Sequence, residues 1–193
     1  MGNSYHTKES VEEYIKMALG HDGKLIIAKL RKYLPPGAHL LEIGSGPGTD
    51  WELLQEQYKV LGSDQSQEFL NHLQTRFPEG EFLKLDAESL LTDRLFDGIY
   101  TNRVLHHLED DALQNSILRQ YEILRPGGIV CHTFWHGQDS EIYNELFVNY
   151  HSDDGVRMLF GDYFDTLLIH YYKEFEKGDS FLYIGKKKAG PPD

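Results

Sequence analysis

Five short apolar runs alternate with helical patterns between residues 39 and 135, and this alternation constrains the fold more than any other feature. The runs have the length and composition of buried strands, whereas most segments between them repeat apolar side chains every three or four residues. The runs are HLLEI, KVLGS, EFLKL, DGIYT and GIVCHTF. Such alternation predicts parallel strands joined by right-handed helical crossovers, that is, an open α/β sheet with helices on both faces.

The end of the chain breaks this rhythm. Two strand-like runs, 165–172 and 180–187, are separated only by residues 173–179, which are too few for a helical crossover. We therefore expect an antiparallel hairpin at the sheet edge, which gives a mostly parallel sheet of seven strands. Near the start of the chain, residues 11–19 predict an amphipathic helix with a capping box formed by Ser10 and Glu13.

The composition favours one domain that binds a small solute. The 193 residues, 40% of them apolar, are enough for one core. A formal net charge of −12 would repel phosphate backbones, which disfavours nucleic acid as a partner. The single cysteine, Cys131, excludes a disulfide within the chain. No apolar stretch reaches the ~20 residues of a membrane span and the start lacks a signal-peptide pattern, so we expect a soluble, cytoplasmic protein.

The segment LLEIGSGPGTD, residues 40–50, places a glycine-rich turn directly after the first predicted strand. Glycines let the backbone turn sharply and approach a ligand, and the next helix offers amide donors at its start. The dinucleotide pattern G-x-G-x-x-G has glycine at its sixth position, where this chain has Thr49, and the third glycine, Gly48, comes one residue early. The turn therefore predicts a nucleotide-like ligand but weakens the case for NAD.

Two acids stand at the ends of the next predicted strands. Asp64 ends KVLGSD, where a carboxylate can accept both hydroxyls of a ribose. Asp86 ends EFLKLD on the same rim, where it can accept the exocyclic amine of adenine. Each acid has a structural alternative, Asp64 at the start of the following helix and Asp86 as a cap for the next short segment. Together with the glycine turn, the two acids favour a ligand that contains adenosine.

These motifs together resemble a known family. In order, EIGSGPGTD, VLGSDQS, LKLDA, FDGIYTNRVLHHL and ILRPGGIV are similar to the successive motifs of class I S-adenosylmethionine-dependent methyltransferases. The resemblance covers roughly residues 38–135 and is greatest to the small-molecule group that includes quinone-biosynthesis methyltransferases. It implies a Rossmann-like strand order of 3-2-1-4-5-7-6, S-adenosylmethionine as cofactor, and transfer of a methyl group to a small-molecule acceptor by in-line displacement.

The resemblance also implies roles for individual residues. Glu42 would lie near the methionine ammonium, Asp64 would hold the ribose, and Asn102 would form the back wall of the cofactor site. Asp86, with the amide of Ala87, would hold the adenine. The remaining implied cofactor-binding residues come from the glycine turn and from the position after Asp64: Gly44, Ser45, Gly46, Gly48 and Gln65.

Transfer of a methyl group from a sulfonium depends mainly on alignment, which can contribute ~7 to 11 kcal/mol. A general base is needed only where the acceptor must lose a proton. The candidates for that base are His106 and His107, in VLHHL after the fourth strand, and the alternative for both is packing or capping. Adjacent residues on a helix point about 100° apart, so the pair is a poor metal clamp and no metal site is expected.

The acceptor pocket is expected beneath the N-terminal helix and the loop formed by residues 134–147. Tyr14 and Trp135 are the candidate substrate residues, and Tyr5 and Tyr143 are further aromatic candidates; ordinary packing is the alternative for each. We expect one methyltransferase domain over residues 1–193. Its predicted parts are a helical cover (1–37), a cofactor-binding core (38–135), and a lid helix with the terminal hairpin (136–188).

Two other functions remain open at this point. An NAD(P)-dependent reductase is favoured by the glycine turn and by Asp64, and opposed by the early Gly48. The other alternative is a non-catalytic protein that binds S-adenosylmethionine and acts as a sensor or partner subunit. If the protein is a methyltransferase, we expect a small-molecule acceptor, no nucleic-acid partner, no membrane span, and a monomer or homodimer.

Overall fold

A computed structural model describes residues 7–143 and 146–190, which leaves the candidate Tyr5 outside the described residues. The helices are α1 (Lys8–Met17), α2 (Lys24–Leu30), α3 (Thr49–Leu54), α4 (Gln67–Arg76), the 3₁₀ helix η1 (Leu105–His107), α5 (Asp110–Ile123) and α6 (Asp153–Gly161). The strands are β1 (His39–Ile43), β2 (Lys59–Asp64), β3 (Glu81–Lys84), β4 (Phe96–Thr101), β5 (Leu124–Trp135), β6 (Ser140–Tyr143), β7 (Leu146–Asn149), β8 (Phe164–Tyr172) and β9 (Ser180–Lys187).

Seven strands form one sheet in the order β3-β2-β1-β4-β5-β9-β8. Strands β1 to β5 pair in parallel, whereas β9 pairs antiparallel with both β5 and β8. This confirms the predicted open sheet and its terminal hairpin. The predicted order 3-2-1-4-5-7-6 differs only in numbering, because β6 and β7 form a separate two-stranded hairpin. That hairpin occupies part of the segment predicted as a covering loop.

The core consists of two apolar clusters, one on each face of the sheet. Consecutive strand residues point to opposite faces, so Leu40 and Leu41 of β1 belong to different clusters, as do Val130 and Cys131 of β5. Helices α5 and α6 contribute to the first cluster, and α2 and α3 to the second. Both faces of the central strands are therefore covered, which explains their nearly continuous apolar sequence.

Helix α1 begins three residues earlier than its apolar pattern predicts. Thr7 is its N-cap, and its Oγ1 accepts a hydrogen bond from the backbone amide of Ser10 at 3.2 Å. The capping box is therefore formed by Thr7 and Ser10, and the predicted box of Ser10 and Glu13 is wrong. The helix lies beside α4, with the Tyr14 ring edge-on to Phe69 at 5.6 Å between centroids.

Across residues 7–143 and 146–190, no helix has both the length and the apolar character required to cross a membrane.

Candidate active site

A cavity of about 430 Å³ lies at the carboxyl ends of the parallel strands. Helix α1, the β6–β7 hairpin and the turn between β8 and β9 contribute to its walls. Most of the residues predicted from the sequence line it: Tyr14, Glu42, Gly44, Ser45, Gly46, Asp64, Gln65, Ala87, Asn102, His106, His107 and Trp135. The two predicted residues outside the lining are Gly48 and Asp86.

The glycine turn exposes its backbone to the cavity at Gly46. This residue has a φ of +47°, a conformation that side chains other than glycine rarely adopt. A Cβ built there meets, among the described residues, only the Tyr14 ring, at 4.0 Å. A ligand can therefore approach the backbone closely. The turn is anchored to β2, because the amide of Ser45 donates to the carbonyl of Ser63 at 2.8 Å.

Gly48 lies outside the lining of the cavity. It precedes α3 with a φ of +80°, and a Cβ built on it would fall 2.6 Å from Cδ2 of Leu73 in α4. The glycine therefore allows the turn to pack against α4. Contact of Gly48 with the ligand stays a prediction.

Asp64 ends β2 with a carboxylate that is held in place by the backbone. Its side chain is buried, with the residue 8% exposed, and Oδ2 accepts from the amide of Gly46 at 3.0 Å while Oδ1 accepts from the amide of Ser66 at 2.9 Å. Burial raises the pKa of Asp64, and these backbone hydrogen bonds oppose the rise. The amide of Gln65 also donates to this carboxylate, so about one of its roughly four lone-pair sites remains for a ligand hydroxyl.

Asp86 takes up the capping role that the sequence left as its alternative. Its Oδ1 accepts from the backbone amides of Glu88 and Ser89, each at 3.0 Å, and the residue is exposed outside the cavity. The neighbouring Ala87 is buried and lines the cavity. The structure thus places Ala87 in the cavity wall and the Asp86 side chain outside it, and contact of either residue with adenine stays a prediction.

Glu42 is a buried carboxylate at the cavity wall. It is 2% exposed, and its Oε2 accepts from the hydroxyl of Ser45 at 2.6 Å. Burial raises the pKa of Glu42 to about 8, with smaller contributions from the charges of Asp50 and Asp64. No Lys or Arg among the described residues pairs with it. Because a buried carboxylate without a cation is costly, a positively charged ligand group would stabilise its ionised form.

Asp50 joins the site although the sequence analysis did not single it out. Its Oδ1 accepts from the amide of Gly23 at 2.7 Å, and its Oδ2 accepts from the hydroxyl of Tyr100 at 2.7 Å and from Nδ2 of Asn102 at 2.9 Å. Oδ1 of Asn102 accepts a hydrogen bond from the hydroxyl of Thr133 at 2.9 Å. Asn102 is therefore fixed at the cavity wall. The sequence could have indicated this role, because Asp50 lies in the first turn of α3, directly after the glycine turn.

The two adjacent histidines differ in their surroundings. His106 is 1% exposed and stacks on Trp135 with ring centroids 4.6 Å apart, and burial lowers its pKa well below the ordinary value. Nδ1 of His107 lies 2.7 Å from the carbonyl oxygen of Phe147 in the β6–β7 hairpin. Because a carbonyl can only accept, Nδ1 carries the proton and the neutral ring has its lone pair on Nε2. Burial lowers the pKa of His107, which favours that neutral form.

Arg103 and Glu174 form an ion pair that the sequence analysis also missed. Nη1 of Arg103 lies 3.0 Å from Oε1 of Glu174, and both residues line the cavity. The pair joins the end of β4 to the turn between β8 and β9, which are far apart in the chain. No local pattern predicts such a contact, although YTNRV already places an arginine just after the fourth strand.

The charges of the lining are mainly negative. Within the described part of the chain, its acids are Glu42, Asp50, Asp64 and Glu174, and its one lysine or arginine is Arg103. No group of three or more His, Cys, Asp or Glu suitable for a metal ion is found in residues 7–143 and 146–190. The charges of Asp50 and Asp64 act on Glu42, so this part of the cavity favours a ligand group with positive charge, whereas Arg103 and Glu174 form a neutral pair.

Comparison with known sequences finds methyltransferases. Residues 40–128 match a family described as a methyltransferase domain. The chain is 33% identical over 102 residues to a trans-aconitate 2-methyltransferase of Variovorax paradoxus, which covers 51% of this chain and 39% of that protein. It is also 30% identical over 124 residues to a trans-aconitate 2-methyltransferase of Azoarcus. That match covers 62% of this chain and 48% of that protein. The chain thus spans less than half the length of these curated relatives.

Solved structures share the fold at low sequence identity. One is a 1,6-didemethyltoxoflavin-N1-methyltransferase of Burkholderia thailandensis with bound 1,6-didemethyltoxoflavin and S-adenosylhomocysteine. It has a TM-score of 0.77 at 20% identity, and the match covers 95% of this chain and 84% of that chain. Another is an N-methyltransferase of Bradyrhizobium japonicum in complex with S-adenosylhomocysteine. It has a TM-score of 0.72 at 18% identity, and the match covers 96% of this chain and 99% of that chain. These structures show that the chain shares their fold, and no match singles out the quinone-biosynthesis group.

Proposed function

We propose that the protein is an S-adenosylmethionine-dependent methyltransferase that acts on a small-molecule acceptor. The observation that carries the proposal is the buried carboxylate of Glu42, which has no cationic partner among the described residues and shares one cavity with Asp64. A ligand that carries an ammonium and a ribose satisfies both. A nicotinamide dinucleotide offers hydroxyls to Asp64 but no ammonium to Glu42, so it fits the cavity less well.

The lining residues fit the parts of that cofactor. Glu42 would face the methionine ammonium, and Asp64 would accept a ribose hydroxyl at its remaining acceptor site. The open backbone at Gly46 allows the ribose and methionine portions to approach closely. Ala87 would line the adenine end, and Asn102, fixed by Asp50, would form the back wall. Gly44, Ser45 and Gln65 would complete the lining.

The cofactor, when bound, supplies an electrophilic methyl group whose bond to sulfur breaks as the lone pair of the acceptor attacks the methyl carbon. The protein has to align the acceptor and exclude water. We propose that Nε2 of His107 accepts the proton of an acceptor that must lose one, because the carbonyl of Phe147 fixes Nδ1 as the protonated nitrogen. His106, Trp135 and Tyr14 would form walls of the acceptor pocket.

We also propose one domain over residues 1–193, with the cover (1–37), core (38–135) and lid and hairpin (136–188) given above. A cytoplasmic location and a monomer or homodimer belong to the same proposal. The relatives named for trans-aconitate suggest organic acids as acceptors, and the sequence resemblance suggests quinone precursors. The net charge of −12 opposes a role on nucleic acid.

Calorimetry on the purified chain tests this function. We expect S-adenosylmethionine and S-adenosylhomocysteine to bind and NAD to bind weakly or not at all, because NAD lacks the ammonium that Glu42 would pair with. Absence of binding to either adenosylated compound at millimolar concentration would refute the proposal. Binding without any methylated product from cell extracts supplied with methyl-labelled cofactor would favour the non-catalytic alternative.

Glu42 predicts a proton release that accompanies cofactor binding. With a pKa of about 8 it is mostly protonated at pH 7, and a bound ammonium lowers that pKa because it favours the ionised form. We therefore expect roughly one proton to be released per S-adenosylmethionine bound at pH 7, and the affinity to rise with pH up to about 8. Calorimetry in buffers with different ionisation enthalpies measures the release. In Glu42→Gln, which keeps the shape, the release should disappear; its persistence would contradict the assignment.

A further inference from the structure

Arg103 stands in a backbone conformation that its residue type rarely adopts. Its φ is +59°, directly after Asn102 at the carboxyl end of β4. The amide of Arg103 donates to the hydroxyl of Thr133 at 2.9 Å, the same hydroxyl that donates to Asn102, and these bonds fix the conformation. A strained position held by the surrounding structure is typical of functional sites. The strain also brings an arginine, which is not a residue that favours this conformation, into the cavity wall.

The guanidinium of Arg103 retains donors for a ligand. Arginine carries five N–H donors in a planar fork, and the partner found for Arg103 among the described side chains is Glu174, through Nη1 at 3.0 Å. The Glu174 side chain is 6% exposed, whereas that of Arg103 is 27% exposed. The arginine is thus the more accessible member of the pair. A planar fork with unused donors matches the two oxygens of a carboxylate.

The location of the pair favours the acceptor over the cofactor. Phe175, next to Glu174, lies edge-on to Trp135 with ring centroids 6.3 Å apart, and Trp135 stacks on His106. The pair thus belongs to the aromatic part of the cavity, which we assign to the acceptor. Asp64, which ends β2, and Ala87, which follows β3, are the residues that we assign to ribose and adenine, and both strands lie on the other side of β1 from β4.

We propose that Arg103 binds a carboxylate group of the acceptor, so that the acceptors of this protein are small organic acids. The inference rests on the proposed methyltransferase function and names its substrate class. Before the acceptor binds, Glu174 neutralises the guanidinium and holds it in the wall. The carboxylate of the acceptor then shares or replaces Glu174 as the partner of Arg103, which orients the acceptor relative to the methyl group.

Binding of defined acids to the protein saturated with S-adenosylhomocysteine tests this directly by calorimetry. The probes are trans-aconitate, citrate and fumarate, with trimethyl trans-aconitate as the uncharged analogue. We expect at least one acid to bind and the ester not to bind. Arg103→Met should weaken acid binding roughly 10-fold or more, and Arg103→Lys by less, because lysine keeps the charge without the fork. Arg125→Met is the matched control, because it breaks an ion pair of 3.0 Å with Asp97 outside the cavity.

The variant Glu174→Gln distinguishes two roles of Arg103, namely binding of the acceptor and a purely structural ion pair. If the pair serves only to tie the β8–β9 turn to β4, breaking it from either side should have the same effect on acid binding. If Arg103 binds the acceptor, removal of the competing carboxylate should tighten acid binding while Arg103→Met weakens it. Opposite directions in the two variants support the proposal, and equal losses overturn it.

A second pair of ligands locates the carboxylate. S-Adenosylhomocysteine carries the amino-acid carboxylate and 5′-methylthioadenosine does not, so we expect Arg103→Met to bind both as the wild type does. Loss of affinity for the first alone would place the bound carboxylate on the cofactor and overturn the acceptor assignment. No binding of any acid to the loaded wild type would also overturn it. Failure of the wild type to bind S-adenosylhomocysteine would instead refute the proposed function itself.

Discussion

Asp64→Ala is expected to weaken the binding of S-adenosylhomocysteine by ~2 to 5 kcal/mol, which is roughly 30- to 4,000-fold in Kd. The loss combines two effects. The ribose hydroxyls would lose a charged acceptor in a buried place, and the amide of Gly46 would lose the partner that fixes the glycine turn. The first effect acts only on the ligand-bound state, whereas the hydrogen bond from Gly46 is present without ligand, so its loss also lowers the stability of the fold somewhat.

Calorimetry on Asp64→Ala and Asp64→Asn measures this effect, with Asp93→Ala as the control. Asp93 is an exposed acid outside the cavity, and its replacement changes the net charge by the same amount. Asn should give an intermediate loss because it retains one acceptor oxygen without the charge. Circular dichroism establishes that the variants are folded. Wild-type affinity in a folded Asp64→Ala would refute the assigned ribose contact.

The parallel core of the fold is predictable from the sequence because its strands are buried on both faces. Each of these strands is a continuous apolar run that ends at a turn signal, and the side chain that follows a parallel strand necessarily lies at the rim. The same rule places Asp64 in the cavity. The rule does not decide which of two consecutive residues faces the cavity. At Asp86 and Ala87, the carboxylate of Asp86 lies outside the cavity because it caps the following turn.

The parts that the sequence did not predict depend on contacts between distant segments. The β6–β7 hairpin has an exposed β6, so its residues lack the apolar pattern by which a strand is recognised. The ion pair of Arg103 and Glu174 joins two positions far apart in the chain, and the sequence around either one does not predict the other. The anchor of His107 likewise comes from Phe147 of that hairpin. Such pairings follow from the folded arrangement and not from spacing.

His107→Asn is expected to lower kcat by roughly 10²- to 10⁴-fold for an acceptor that loses a proton, with little change in the Kd of S-adenosylhomocysteine. Asn retains a donor near the position of Nδ1, so the hydrogen bond to the carbonyl of Phe147 can persist while the basic Nε2 is removed. The measurement is transfer of labelled methyl to the acceptor at saturating cofactor. His170→Asn on β8, outside the cavity, is the control.

The pH profile distinguishes a base from a residue that only holds the hairpin. Burial lowers the pKa of His107 below its ordinary value of 6.5, although the hydrogen bond to the backbone opposes this. As the pH falls through that lowered pKa, Nε2 becomes protonated and can no longer accept a proton. We therefore expect kcat/KM for the acceptor to fall on the acid side below pH 6.5 in the wild type, and this limb to be absent from the residual activity of His107→Asn. Saturating cofactor keeps the titration of Glu42 out of the profile. If the variant retains the same acid limb, the base lies elsewhere and His107 serves only to anchor Phe147.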